Sequence, residues 1–169
     1  VPVLIATTGH SEEQLKKIEE AANQIPIIKA TNTSVGVNIV NEIVAFATKL
    51  LKDFDIEIVE KHHNRKLDAP SGTALALADA VNEAAEGSYD YIFSRSERRE
   101  KRPATEIGIS SVRGGSIVGE HDVIFAGEDE VITLSHSAYS RSIFAKGAVE
   151  AAKFLYNKKA GVYSMFDVL

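Results

Sequence analysis

Residues 60–74 concentrate side chains that could bind and protonate a small acid. His62, His63 and Lys66 can attract an anion by direct charge. At the following helix start, Ser71, Gly72 and Thr73 offer backbone N–H groups and the positive end of a helix dipole to a carboxylate. This combination predicts a ligand that carries two carboxylates.

Simpler interpretations of the same residues remain open. A His-His pair at the end of a strand is often a surface feature or part of a metal site. The Pro-Ser-Gly-Thr sequence at residues 70–73 is also a common way to begin a helix. A metal site would need a third ligand close by, for which Asp68 is the obvious candidate.

The elements that hold this segment can be predicted from hydrophobic spacing. Apolar residues 37–52 follow helical spacing and predict a long amphipathic helix. Residues 55–63 alternate, with Ile56, Ile58 and Glu60 on one face, and predict a strand that runs into a loop. Residues 74–85 are rich in Ala and Leu and predict a helix begun by Ser71 or its neighbours.

The start of the chain predicts one βα unit and a second strand of a parallel sheet. Residues 2–6 are predicted to form a buried strand, and residues 7–10 a tight loop. Ser11 and Gln14 fit a capping box for a helix that runs through residue 22. Residues 26–30 are predicted to form the second buried strand.

The second half of the sequence predicts three further strands and a final helix. Residues 94–102 carry five basic and two acidic side chains without an apolar period, which predicts a solvated loop. Residues 106–113, 116–125 and 130–136 are predicted to form a three-stranded meander, with turns at 114–115 and 127–129. Residues 142–156 are predicted to be helical.

Composition excludes several classes of function. The net charge of -5 disfavours a nucleic-acid binder or a protein of anionic membrane surfaces, because both need a basic face. The chain has no cysteine, which excludes disulfides, thiolate metal sites and the nucleophilic cysteine of a semialdehyde dehydrogenase. No apolar stretch approaches the length of a membrane span. We therefore expect a cytoplasmic protein.

The string EKHHNRKLDAPSGTA at residues 60–74 resembles the signature of the dihydrodipicolinate reductases. In that signature Glu, His-His, Lys and Asp-Ala-Pro-Ser-Gly-Thr-Ala stand at the same spacing. The resemblance extends from residue 3 to residue 169, because further segments agree in the same order: ATTGH, ATNTSVGVN, RGGSIVGEH and MFDVL.

This resemblance implies reduction of the cyclic dicarboxylate 4-hydroxy-tetrahydrodipicolinate to tetrahydrodipicolinate, on the diaminopimelate route to lysine, with NADPH or NADH. His62 would be the general acid and base, and Lys66 the proton donor or the cation that faces the developing charge. The resemblance places substrate carboxylates near His63, Lys66, Ser71, Gly72 and Thr73. It places the cofactor near Ala6, Thr7, Thr8, Ala30, Thr31, Asn32 and Thr33.

The sequence also departs from the family. Ala6 stands where Gly is usual, and Thr33 stands where an aromatic residue or Met is common. The glycine-rich fingerprint that seats a dinucleotide pyrophosphate is not found in these residues, so we expect further βα units upstream of Val1. The alternative is a non-catalytic substrate-binding and oligomerisation module without a cofactor site.

We predict an α/β plus α+β chain of two parts. Residues 1–33 and 137–169 would be a remnant of a Rossmann-type nucleotide-binding domain. Residues 34–136 would form the substrate domain, with an open mixed sheet and helices on one face. The resemblance further implies that this sheet packs against its counterparts in a homotetramer.

Overall fold

The computed structural model describes residues 1–7 and 9–169, which divide into two compact units. Unit 1 comprises Val1–Ile39 and Arg141–Leu169, and unit 2 comprises Val40–Ser140. The elements of the described residues are, in chain order, β1 (Val3–Ile5), α1 (Glu12–Ala22), β2 (Pro26–Lys29), α2 (Val35–Leu50), β3 (Asp55–His62), α3 (Gly72–Ala84), β4 (Asp90–Ile92), β5 (Glu106–Arg113), β6 (Gly119–Ala126), β7 (Val131–Ala138), α4 (Ser142–Leu155), β8 (Gly161–Tyr163) and a 3-10 helix (Phe166–Val168).

Unit 1 contains a parallel sheet in the order β1-β2-β8, which confirms the predicted βα unit and second strand. The capping box of α1 is also confirmed: the Ser11 hydroxyl accepts from the Gln14 amide at 3.3 Å, and the Gln14 side chain accepts from the Ser11 amide at 2.8 Å. The predicted burial of the first strand is wrong, because Val3 is 38% exposed and β1 is an edge strand within the part of the chain that the structure describes. The three-residue strand β8 was not predicted, since it is too short to show alternation.

The core of unit 1 forms where α4 packs against the sheet, around Ile28, Ala151 and Leu155. Gly147 allows α4 to approach the chain closely, because a Cβ at that position would lie 1.6 Å from the Thr33 carbonyl oxygen. The predicted helix at 142–156 is confirmed by α4.

Unit 2 contains a mixed sheet in the order β4-β5-β3-β6-β7. The three predicted strands exist, but the predicted meander is wrong. β3 lies between β5 and β6, parallel to the first and antiparallel to the second. Of the three strands predicted as a meander, β6 and β7 pair as a hairpin and β5 does not pair with β6. The physical reason is burial: β3 carries Ile56 and Ile58, both completely buried, and an apolar strand gains most from the central position.

Both α2 and α3 pack on one face of this sheet, which confirms the predicted open mixed sheet with helices on one side. Val44 of α2 and Leu77 of α3 meet the alternate residues Ile56, Ile109 and Phe125 of the strands. The predicted helix at 37–52 is found two residues earlier, and the predicted helix after Ser71 begins at Gly72. Within the described ranges, no helix is long and apolar enough to cross a membrane.

The basic stretch at residues 94–102 is a loop, as predicted, but it is not simply solvated. Arg95, Arg98 and Arg102 are held by carboxylates of the strands. Arg95 pairs with Glu57 at 2.7 Å, and Arg98 pairs with Glu106 at 2.7 Å. Arg102 pairs with Glu57 and Asp55. A charge count along the chain misses this arrangement because the acidic partners lie on distant strands.

Candidate active site

Glu60 is the buried centre of a polar cluster at one end of the unit 2 sheet. It lies on the helix-facing side of β3 after Ile56 and Ile58, as the alternation predicted, and its side chain has no solvent exposure. The Arg113 guanidinium at the end of β5 binds it through two bonds, of 2.7 Å to Oε2 and 2.6 Å to Oε1. Such a bidentate pair fixes both side chains.

The Glu60 carboxylate is ionised. Burial alone raises the pKa of a carboxyl group, but hydrogen bonds with Arg113 and His62 outweigh it and lower the pKa of Glu60 to about 2. Arg113, whose side chain is 20% exposed, supplies the matching positive charge to this buried carboxylate.

His62 lies at the end of β3, with its side chain only 12% exposed. Its ring nitrogen Nδ1 is 2.5 Å from Oε2 of Glu60. The other nitrogen, Nε2, lies over Gly119 of β6, where an added Cβ would come within 3.0 Å of it. The glycine therefore leaves room beside Nε2.

Ser71 connects the cluster to the start of α3. Its amide donates to Oε1 of Glu60 at 3.1 Å, and its hydroxyl accepts from the Ala74 amide at 3.1 Å. The same hydroxyl lies 2.9 Å from Nε2 of His121. Ser71 is buried and its amide and hydroxyl are engaged within the protein, whereas Gly72 is exposed at the first position of the helix.

Lys66 lies in the loop between β3 and α3, where its ammonium donates to both oxygens of Asp68 at 2.8 Å. The hydrogen bond from Lys66 lowers the pKa of Asp68, whose side chain is 62% exposed. Arg113 donates to the Asp68 carbonyl at 2.8 Å and so ties this loop to the buried cluster. His63 precedes the loop, and its carbonyl accepts from the Lys66 amide at 3.1 Å.

Two further histidines line the helix-facing side of the sheet next to Glu60. His121 is opposite Glu60 in the β3–β6 register, and His136 is opposite His121 in the β6–β7 register. Burial, and then the nearby charge of His62, lower the pKa of His121 to about 4; burial also lowers the pKa of His136. His121 is therefore neutral near pH 7.

Glu60, Arg113 and His121 are not among the site residues predicted from the sequence. A signal for the first was present: a Glu that follows two core isoleucines in strict alternation must be buried, and a buried carboxylate needs a cation. Its partner could not be identified, because β5 is far away in sequence and was predicted to lie beside β6. Among the residues that the structure describes, no group of His, Asp and Glu is arranged to hold a metal ion, and the Asp68 carboxylate contacts Lys66.

The residues expected near a cofactor lie in unit 1, after the parallel strands β1 and β2. Ala6, Thr7 and Thr31 are exposed, whereas Thr8 lies outside the described residues. Ala30 belongs to the core, and Asn32 accepts from the Ser34 amide through its side chain at 2.8 Å.

Thr33 is buried, and its hydroxyl donates to the Phe144 carbonyl at 2.8 Å. Its side chain thus stabilises the packing of unit 1.

Comparison with known proteins covers the whole chain. Residues 1–33 match the family model of the dihydrodipicolinate reductase N-terminus, and residues 36–169 match the model of the C-terminus. The 4-hydroxy-tetrahydrodipicolinate reductase of Caldanaerobacter subterraneus subsp. tengcongensis is 57% identical over 100% of this chain and 67% of its own length. That of Clostridium tetani is 51% identical over 98% of this chain and 65% of its own length.

A solved structure is also similar. It is the dipicolinate-bound dihydrodipicolinate reductase of Paenisporosarcina sp. TG-14, with a TM-score of 0.77, 28% identity and coverage of 99% of this chain and 64% of that one. The chain thus spans about two thirds of the length of these relatives. The family models together account for 167 of the 169 residues, since 33 and 134 residues match. The chain therefore belongs to the dihydrodipicolinate reductase family.

Proposed function

We propose that this protein reduces 4-hydroxy-tetrahydrodipicolinate to tetrahydrodipicolinate with NADH or NADPH, on the diaminopimelate route to lysine in the cytoplasm. The observation that carries the proposal is the site itself. The histidine, lysine and helix-start residues of the family signature at 60–74 belong to one unit, next to a buried charged cluster. Identity of 57% to a reductase over the whole chain supports the same conclusion.

The substrate carboxylates are proposed to bind at Lys66, His63 and the first turn of α3. Lys66 is bound to an exposed aspartate, so an incoming carboxylate can take over a similar ion pair. Gly72 and Thr73 supply first-turn amides and the helix dipole. The relative solved with dipicolinate binds a planar dicarboxylate, the ligand class that these groups suit. Ser71 enters this proposal through the helix start that it caps rather than through a contact of its own.

His62 is proposed as the general acid and base, and Lys66 as the cation that faces the charge formed on the ring. The 4-hydroxyl group of the substrate must leave as water, which gives a conjugated ring. A hydride then adds to one ring carbon, and a proton must reach the neighbouring carbon. The His62 nitrogen Nε2 lies beside Gly119, so no side chain at that position crowds it, and the imidazole is 12% exposed. Lys66 stabilises the negative charge that spreads over the conjugated acid and imine.

The nicotinamide cofactor supplies the hydride when it is bound. In unit 1, the exposed Ala6, Thr7 and Thr31 follow the carboxyl ends of β1 and β2, the edge at which open α/β sheets bind ligands. These residues fit contacts with one end of a dinucleotide. Asn32, Thr33 and Ala30 are proposed to contribute through the backbone, because their side chains are engaged or buried.

We also propose that the protein is a homotetramer that packs through the helix-free face of the unit 2 sheet. That face bears the exposed Val112 and Val131 beside the ionic pairs of Lys61 with Glu120 and Asp122. Exposed apolar side chains on an otherwise charged sheet are typical of a face that a partner covers.

The binding half of the proposal can be tested with pyridine-2,6-dicarboxylate, a planar analogue of the substrate. In a calorimetric titration of the complete protein, Lys66→Ala is expected to weaken binding about tenfold or more, since a charge-assisted bond contributes on the order of 1.5 kcal/mol or more. Arg65→Ala is the matched control, because Arg65 is the adjacent, exposed cation of the same loop. Equal losses in both variants, or no binding by the unsubstituted protein, would contradict a specific site at Lys66.

A further inference from the structure

We propose that Glu60 is a positioning residue that sets two parts of the site at once, the imidazole of His62 and the start of α3. The inference rests on the proposed function, because it assigns a role to the environment of the proposed acid and base. It is carried by the way in which the two oxygens of one buried carboxylate are divided between these parts.

Each Glu60 oxygen contacts Arg113 and one further group of the site, and the Ser111 side chain also bonds the carboxylate. Oε2 accepts from Arg113 at 2.7 Å and lies 2.5 Å from His62 Nδ1. Oε1 accepts from Arg113 at 2.6 Å and from the Ser71 amide at 3.1 Å. Arg113 therefore holds the carboxylate in one orientation, and this orientation directs one oxygen to the imidazole and the other to the helix start.

The charge of Glu60 decides which nitrogen of His62 carries the proton. An ionised carboxylate can only accept hydrogen bonds, so Nδ1 must be the donor in the contact with Oε2. In the neutral imidazole, Nε2 is then the free base, and it is this nitrogen that lies over Gly119. The arrangement prepares Nε2 to accept a proton and to return it.

The second contact, between Glu60 and the Ser71 amide, acts on the site proposed for the substrate carboxylates. The Ser71 amide is held by Glu60, and the Ser71 hydroxyl caps α3 through Ala74. The amides of Gly72 and Thr73 follow immediately in the first turn of the helix. Arg113 adds a bond to the Asp68 carbonyl, so the same ion pair also holds the loop that carries Lys66.

Stability alone does not account for a charge at this position. Burying an ion pair costs desolvation energy that its attraction often fails to recover, and an apolar pair of similar size is commonly as stable or more stable. Ile56 and Ile58 fill the two preceding positions on the same face of β3. Positioning of His62 and of the start of α3 explains why a charged residue occupies this buried position.

The first test observes the unsubstituted protein and uses a substitution only to assign its signals. Long-range ¹H–¹⁵N spectra of the complete protein in mildly alkaline solution report which nitrogen of a neutral histidine carries the proton, and His62→Gln identifies the His62 signals by their loss. The proposal expects the Nδ1–H form. A spectrum that shows the Nε2–H form would overturn it.

The second test is Glu60→Gln. A carboxamide offers one acceptor oxygen and one donor NH₂ group, so it cannot accept from both Nδ1 of His62 and the Ser71 amide. If the contact with His62 is lost, we expect kcat to fall about 10²-fold, comparable to the loss of general acid-base assistance. If the contact with the Ser71 amide is lost, we expect a clear rise of substrate KM.

Glu57→Gln is the matched control, because Glu57 lies on the opposite face of the same strand and is also paired with arginines. This control should keep kcat and substrate KM near those of the unsubstituted enzyme. A folded Glu60→Gln variant with unchanged kcat, KM and His62 tautomer would overturn the positioning role. Absence of reductase activity in the unsubstituted protein would instead contradict the proposed function, and the tautomer would still test the role of Glu60.

Discussion

At the scale of single residues, the site depends on ionisable side chains whose charge is set by the balance between burial and the groups they contact. Glu60 is ionised because Arg113 and His62 outweigh its desolvation. His121, directly opposite it in the sheet, is neutral because its burial is not offset in the same way. Two titratable groups in adjacent positions of the sheet thus differ in charge, one ionised and one neutral. Both contact Ser71 of the segment 60–74.

The neutral state of His121 predicts a loss of stability in mild acid. The pKa of His121 is about 4 in the folded protein and 6.5 ordinarily, so the unfolded state binds the proton more tightly. Titration of His121 therefore leaves the free energy of unfolding unchanged above about pH 6.5. Between about pH 6.5 and pH 4 it lowers that free energy, by up to about 3 kcal/mol in total.

Urea unfolding at about pH 7 and about pH 4.5 tests this, with His121→Gln as the comparison. The glutamine keeps a polar group near Ser71 but does not titrate. The free energy of unfolding should fall by about 2 to 3 kcal/mol more in the unsubstituted protein than in the variant. Equal falls in the two proteins would mean that His121 is not held neutral by burial.

The residue types of the site could be predicted from the sequence, but their contacts could not. The segment 60–74 contains His62, Lys66 and Ser71 in order, and periodicity shows that Glu60 faces the core. Their partners Arg113 and His121 lie 53 and 50 positions away from Glu60 and Ser71. Only the sheet order brings them together, and no local pattern encodes that order.

At the scale of elements, α3 is held at its start by more than a helix cap. Ser71 caps the helix, its hydroxyl is hydrogen-bonded with Nε2 of His121, and its amide donates to Glu60. By comparison, Ser11 caps α1 in an exposed capping box with Gln14. The two caps are similar locally, and the difference lies in what surrounds them.

This difference predicts unequal effects of the same substitution. Ser71→Ala should cost about 2 kcal/mol or more, because it removes a cap and leaves a buried histidine nitrogen without its partner, and it should raise substrate KM. Ser11→Ala should cost about 1 kcal/mol and leave KM unchanged. Thermal unfolding and steady-state kinetics of both variants check this. An unchanged KM in a folded Ser71→Ala variant would mean that the start of α3 does not contribute to substrate binding.

The element types were predicted more accurately than their order. The capping box, the long helix α2 and the alternating strand β3 all have clear local periodicity and were found within about two residues of their predicted ends. The short strands β4 and β8 have only three residues each, which is too few for a pattern. The meander was wrong because chain order favours neighbouring strands, whereas burial placed β3 between them.

At the scale of the whole molecule, the two units carry different parts of the proposed reaction. Unit 2 holds the signature segment and the buried Glu60–Arg113 pair. Unit 1 holds the loops proposed to contact the cofactor, after two parallel strands. The glycine-rich turn that binds a pyrophosphate is not among these 169 residues, so tight binding of NADH or NADPH is expected only from a protein that also contains such a turn.

The central claim is that this protein is a reductase in which His62 and Lys66 perform the proton and charge chemistry. The direct measurement is the rate of NADH or NADPH oxidation by the complete protein with 4-hydroxy-tetrahydrodipicolinate, compared among the unsubstituted protein, His62→Ala, Lys66→Ala and the control Arg65→Ala. We predict activity in the unsubstituted protein and in the control, a kcat lower by about 10² or more in each of the other variants, and a larger rise of KM for Lys66→Ala. Near-normal kcat in His62→Ala or Lys66→Ala, or no substrate-dependent oxidation at all, would contradict the account.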